Sequence, residues 1–211
     1  MKGAIVCGGS IRDFQHIERH LAGAELIIAA DSGAACLMRM GIRPHILAGD
    51  FDSIPPPDLE LLVASGIETH RFPIEKDMTD SELAVELALE RGCDAVVLLG
   101  AVGTRLDHSL SNIYLLKKLL QRGVKGMLAD EYNEVYLTNS SITVEKEEGF
   151  MLSLLPFTDR VEGVTTRGLY YPLKDAVLET GSSLGISNEF AQASATVTVS
   201  GGLLLVIKSR E

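Results

Sequence analysis

Basic residues are scarce in this chain: 19 Lys and Arg stand against 29 Asp and Glu, for a formal net charge of −10. A general nucleic-acid binder needs a basic face to neutralise phosphates, so that class is excluded. A nucleotide is not excluded, because a bound metal ion offsets local negative charge. Cysteine is equally sparse. Cys7, Cys36 and Cys93 are scattered, odd in number and without C-x-x-C spacing, which argues against a disulfide framework and fits the reduced thiols of a cytoplasmic protein. No apolar run approaches the ~20 residues that cross a bilayer, so no membrane partner is expected. The opening Met1-Lys2-Gly3-Ala4-Ile5-Val6 reads as a first strand and is too short for a signal-peptide core. Also missing are a G-x-x-x-x-G-K-[ST] loop and, after Gly8-Gly9, a G-x-G-x-x-G fingerprint, so the chain is neither a Walker-type kinase nor a dinucleotide binder of that pattern.

What is present divides into two textures. Residues 1–130 alternate strand-like and helix-like patterns, the signature of βαβ units on a parallel sheet. Apolar runs at 4–7, 26–30, 45–48 and 95–99 read as buried strands, and helices are predicted over 34–40, 58–65, from Met78 onward, and over 109–121. Pro55-Pro56-Pro57 predicts an extended stretch before the second helix. Thr79 and Glu82 have capping-box spacing, and Leu83, Ala84, Leu87 and Ala88 make one apolar face. In the last helix Leu110, Ile113, Leu116 and Leu120 are expected to face inward. Beyond residue 130, short β-rich runs at 134–137, 142–145, 150–155, 161–165, 195–199 and 203–207 predict a second, all-β domain, a small sandwich or barrel.

The chemistry sits at the ends of the buried runs. Asp31-Ser32-Gly33, Gly49-Asp50-Phe51-Asp52-Ser53 and Gly103-Thr104-Arg105-Leu106-Asp107-His108 each follow one. In an open α/β sheet functional groups collect beyond the carboxyl ends of the strands. Carboxylates converging there repel one another unless a cation lies between them, and hard oxygen ligands suit magnesium. Asp50 and Asp52, two apart, project the same way in extended chain, while Gly49 lets the backbone come close. Each group also has a plainer reading. The pair at 50 and 52 makes a solvated acidic turn, Asp80 complements a helix dipole, Asp107 caps a helix, and His108 is structural at a helix start. Asp77 has no such local use. Lys76 and a helix N-terminus suit a phosphate, as do the planar fork of Arg105 and the amides of a Gly100–Gly103 loop.

In order along the chain, these segments resemble the thiamine pyrophosphokinase family. The resemblance takes in Asp31-Ser32-Gly33, Gly41-Ile42-Arg43-Pro44, Gly49 to Ser53, Lys76-Asp77-Met78-Thr79-Asp80, Gly100 to His108 and Asn112. In the second half it adds Gly168-Leu169-Tyr170-Tyr171-Pro172-Leu173 and Gly185-Ile186-Ser187-Asn188-Glu189-Phe190. It implies an α/β domain over 1–130 with a mainly parallel, Rossmann-like sheet that binds ATP, and a thiamine-binding β-sandwich over 131–211. It also implies Mg2+ dependence, ATP and thiamine as substrates, and a homodimer with thiamine at the subunit interface. Asp50, Asp52, Asp77 and Asp107 are then catalytic, the first three as metal ligands. Asp31, Ser32, Lys76, Asp80, Gly103, Thr104, Arg105 and His108 surround ATP, and Tyr171, Ser187 and Asn188 meet thiamine. Where bacterial relatives often carry Gly and Lys, this chain has Thr104 and Tyr170. Two rivals are another nucleotide-dependent phosphotransferase or phosphohydrolase on the same scaffold and a nucleotide or thiamine sensor without turnover.

Overall fold

A computed structural model describes residues 1–73, 75 and 77–211. The chain forms two compact units, Met1–Glu131 and Tyr132–Glu211. The first runs β1 (Lys2–Val6), α1 (Phe14–Leu21), β2 (Leu26–Ala30), α2 (Gly33–Arg39), β3 (Ile46–Gly49), α3 (Pro56–Ala64), β4 (Glu68–Arg71), α4 (Asp80–Glu90), β5 (Ala95–Leu99), α5 (Leu106–Gln121) and β6 (Lys125–Ala129). Its six strands pair in parallel in the order β4-β3-β2-β1-β5-β6. Helices cover such sheets on both faces, so the central strands are apolar throughout rather than alternating. Ile5, Ile28, Leu47 and Leu98 are fully buried accordingly.

Chain order and strand order together place a crevice. From β1 the chain builds outward through β2, β3 and β4, then returns to β5 on the other side of β1. The loops after β1 and β5 therefore diverge to opposite sides, and this switch point is where open α/β sheets bind ligands.

Three local expectations are corrected. Helix α3 begins at Pro56, two residues before the predicted start, because the fixed φ of proline suits a first helical turn. Helix α5 begins at Leu106, so Asp107 lies in its first turn and Arg105 holds the cap position. Its buried face is Ser109, Asn112, Leu115, Leu116 and Leu119, while Leu110 is 43% exposed. Apolar periodicity misses this because the first two turns bury polar side chains against the β5–α5 loop. In α4, Thr79 Oγ1 does accept the Glu82 N–H, at 3.2 Å. The Glu82 carboxylate turns instead to Lys118 of α5, at 2.7 Å.

The second unit holds β7 (Asn133–Thr138), β8 (Ser141–Glu145), β9 (Met151–Pro156), β10 (Arg160–Arg167), β11 (Ala176–Glu179), β12 (Ser194–Thr198) and β13 (Leu204–Ser209). Strands β7, β13 and β9 pair antiparallel, as do β11, β10, β12 and β8. One apolar core joins Leu152, Leu154, Leu204 and Val206 of the first set to Val144, Val161, Val164, Leu178 and Val197 of the second. Among the described residues no helix is long and apolar enough to cross a membrane.

Candidate active site

The acidic turns are set by the ends of neighbouring strands. Ala30 of β2 pairs with Ala48 of β3, so Asp31 and Asp50 leave the sheet side by side. Asp31 has φ +47°, and its N–H donates to the Ala48 carbonyl at 2.8 Å. A Cβ at Gly49 (φ +149°) would lie 3.2 Å from Asp31 Cα, so a glycine is what brings the two strand ends together. Phe51 (φ +68°) turns into the core, leaving Asp50 and Asp52 outside. Carboxylate oxygens of Asp31, Asp50 and Asp52 lie within 4.8 Å of one another. Asp52 N–H also donates to Asp50 Oδ1 at 3.2 Å, so the acidic-turn reading and the cluster hold together. Asp31 Oδ1 is buried and has no hydrogen-bond partner among the described residues. A buried, unpartnered carboxylate oxygen is costly unless a cation or donor reaches it.

Asp31 and Asp50 border a cavity of about 490 Å³ at the switch point, within the few-hundred-Å³ range of small-ligand pockets. Asp31, Ser32 and Asp50 form one wall, and Thr79, Asp80 and Ser81 at the start of α4 form another. Gly103, Thr104 and Arg105 of the β5–α5 loop and His108 of the first turn of α5 close it. Asp77 and Asp107, expected at the centre, do not line it; Asp77 is exposed and is not one of the three converging carboxylates. Lys76 lies outside the described residues.

Gly8, Gly9 and Ser10, which no motif assigns to a site, form the floor beside β1. Gly9 N–H donates to the Gly100 carbonyl at 2.8 Å, and a Cβ on Gly9 would stand 2.3 Å from that oxygen. The signal was a Gly-Gly pair directly after the first strand. Two buried polar side chains of α5 fix the loop opposite. Asn112 Nδ2 donates to the Ala101 carbonyl at 2.7 Å, and Ser109 Oγ receives the Gly103 N–H at 3.1 Å. The Gly103 amide is thus already engaged, and the expected glycine cradle does not form at that residue. Glu131 holds the far end of the floor by accepting the N–H groups of Arg12 and Asp13.

At the mouth, Arg105 grips Asp107 with two bonds, Nη2 to Oδ2 at 2.6 Å and Nε to Oδ1 at 3.3 Å. That guanidinium holds the Asp107 carboxyl at about 2, below the ordinary carboxylate range. Burial pushes the Cys7 thiol, which accepts a hydrogen bond from Ser81, up to about 11. It stays protonated at neutral pH and is no nucleophile.

In the second unit Tyr171 and Ser187 are exposed and Asn188 is buried. Tyr170 and Tyr171 meet edge to face, ring centroids 4.9 Å apart. The hydrolase pattern G-x-S-x-G occurs once, as Gly181-Ser182-Ser183-Leu184-Gly185. No helix follows it and no histidine lies in residues 132–211, so it lacks the strand–turn–helix and the base of a nucleophile elbow.

Comparison with known proteins agrees with this two-unit layout. Residues 17–128 match the family model "Thiamin pyrophosphokinase, catalytic domain", and residues 139–204 match "Thiamin pyrophosphokinase, vitamin B1 binding domain". The chain is similar to thiamine pyrophosphokinase of Bacillus subtilis, 32% identical over 98% of each sequence. The crystal structure of the B. subtilis protein superposes with a TM-score of 0.90, covering 100% of both chains. That of thiamin pyrophosphokinase from Geobacillus thermodenitrificans, also 32% identical, gives 0.85 over 100% of this chain and 98% of that one.

Proposed function

The chain belongs to the thiamine pyrophosphokinase family, and on that premise we propose that it moves the terminal diphosphate of ATP to the hydroxyethyl group of thiamine, yielding thiamine diphosphate and AMP. The cluster of Asp31, Asp50 and Asp52, of which Asp31 and Asp50 line the switch-point cavity, carries the reading. Three hard oxygen donors within 4.8 Å of one another, one of them buried and unpartnered, suit a magnesium ion by their chemistry. Asp31, Asp50 and Asp52 would hold it. When bound, magnesium offsets the triphosphate charge and stabilises charge developing on the transferred group.

The chain's own groups do the remainder. The floor at Gly8 and Gly9 has no room for a Cβ against Ser32 and the Gly100 and Val102 carbonyls, so these glycines hold the two sides of the crevice close together where the phosphates bind. Ser109 and Asn112 keep the opposite loop in one geometry, so nucleophile and leaving group meet in line. The thiamine hydroxyl oxygen forms a bond to the β-phosphorus, and the bond from that phosphorus to the α–β bridging oxygen breaks. AMP leaves with the bridging oxygen, and a carboxylate of the acidic group takes the hydroxyl proton. In this reading two chains work as a dimer that builds the thiamine site around Tyr171 and Ser187. The three buried free cysteines suit the cytoplasm.

Incubation with ATP, magnesium and thiamine tests the proposal: AMP and thiamine diphosphate are expected in equal amounts. Release of ADP, or no thiamine-dependent product, refutes it. An active monomer in sedimentation refutes the shared site. Arg105 gives a further check. Lysine cannot reproduce its planar fork, so Arg105→Lys is expected to lower kcat/KM for ATP by roughly tenfold, ~1.4 kcal/mol, and to leave the KM for thiamine unchanged. Equal weakening toward both substrates would make Arg105 structural.

A further inference from the structure

The carboxamide of Asn188 is buried, only 6% of the residue being exposed, and both its main chain and its side-chain amide are hydrogen-bonded. Its main-chain N–H and C=O pair with Leu152 of β9, at 2.9 and 2.8 Å. Its Oδ1 accepts the Tyr171 N–H at 3.1 Å, and its Nδ2 donates to the Tyr171 carbonyl at 2.7 Å. The neighbourhood explains the arrangement. Segments 168–171 and 188–191 run antiparallel, with Ala191 N–H on the Gly168 carbonyl and Tyr170 N–H on the Glu189 carbonyl, each 2.9 Å. At residue 188 the main chain leaves this ladder for β9. The side-chain amide then supplies the next rung, one donor and one acceptor in a plane, as a peptide group would. Beyond that rung stand Tyr170 and Tyr171, 64% and 65% exposed. Two large aromatic rings held in solvent against one another form a surface for a flat cationic ring.

We propose that Asn188 is a positioning residue for thiamine recognition: its carboxamide clamps the Tyr171 backbone and fixes the aromatic corner that receives the substrate. In this proposal Asn188 serves thiamine through the Tyr171 backbone, to which both ends of its amide are bonded. The exposed polar neighbour is Ser187, whose φ is +55° and whose N–H donates to Ser153 Oγ at 3.0 Å. The inference rests on the thiamine reading above.

The clamp needs a donor and an acceptor in one short planar group. An ionised aspartate has only acceptors and would face the Tyr171 carbonyl. A protonated aspartic acid has one of each. Burial beside that carbonyl favours the neutral acid. Asn188→Asp is therefore expected to raise the KM for thiamine about tenfold or more at pH 8, relative to the original chain, and to return toward the original value as pH falls to about 5.5. The KM for ATP and kcat are expected to change less than about twofold. In a Tyr171→Ala background, Asn188→Asp should add little to the thiamine KM, because the clamp acts through Tyr171. A pH-independent effect, or one shared equally by ATP and kcat, overturns the clamp while leaving the enzyme intact. Should Asn188→Asp fold only at acidic pH, Asn188→Ser, which cannot span both groups, is expected to show a thiamine defect without pH dependence. A normal thiamine KM in Asn188→Ser overturns the proposal. If the original chain turns over no thiamine, the functional reading fails and this one with it.

Discussion

Asp50→Asn lowers thiamine diphosphate formation by roughly 100-fold or more, equivalent to ~2.7 kcal/mol of transition-state stabilisation. Asparagine keeps the shape and removes one charge from the group that also contains Asp31 and Asp52. The same loss is expected for Asp31→Asn, and the choice of residue matters there. Asp31 has φ +47°, a conformation asparagine tolerates and alanine does not, so the backbone at the end of β2 stays in place. Part of each loss should be recovered at high magnesium, because a weakened site still fills. In metal-free buffer both variants should melt no lower than the original chain, since each relieves repulsion among three neighbouring carboxylates. Asp77 separates two versions of the site. It is exposed and outside the converging group, so Asp77→Asn is expected to lose less than Asp31→Asn. Near-normal rates for Asp50→Asn and Asp31→Asn at limiting magnesium would remove the cluster from the reaction.

How much of this was legible beforehand depends on the range over which each feature is determined. Runs such as Leu26–Ala30 and Ala95–Leu99 are buried on both faces, so their strands are written in composition alone. The same holds for Asp50 and Asp52, whose spacing and preceding glycine are local facts. Strand β4 was not legible. Its sequence Glu-Thr-His-Arg is mostly exposed at the sheet edge, and only pairing with β3 makes it a strand. Ser109 and Asn112 were hidden because polar residues on a helix read as its solvent face, whereas here they bind the main chain of a loop. The choice between Asp31 and Asp77 as third carboxylate also needed the register of β2 with β3, which is a long-range quantity. Nor could a sequence reveal that Asn188 acts through backbone groups 17 positions away.

Gly9→Ala lowers kcat/KM for ATP by roughly 100-fold, whereas Gly103→Ala costs little. Sequence reasoning ranks these two the other way, giving the phosphate cradle to the Gly100–Gly103 loop. The distances reverse that order. A methyl on Gly9 would stand 2.3 Å from the Gly100 oxygen and 2.6 Å from that of Val102, and both are main-chain atoms. Neither can rotate away, so the β1 turn and the β5–α5 loop must part, and the crevice between them widens. A displacement near 1 Å at a site that aligns nucleophile and leaving group is enough for an effect of ~10²-fold. The stability cost should stay near the ~1–3 kcal/mol of ordinary overpacking, because the strain falls on loops rather than on the sheet. At Gly103 the nearest atom to an added methyl is Gly9 Cα at 3.7 Å, an ordinary contact, and its N–H remains on Ser109. Steady-state kinetics and a melting curve for both variants decide the matter. If Gly103→Ala proves the more damaging while folding normally, phosphate contact runs through the second loop, and the floor at Gly9 is only packing.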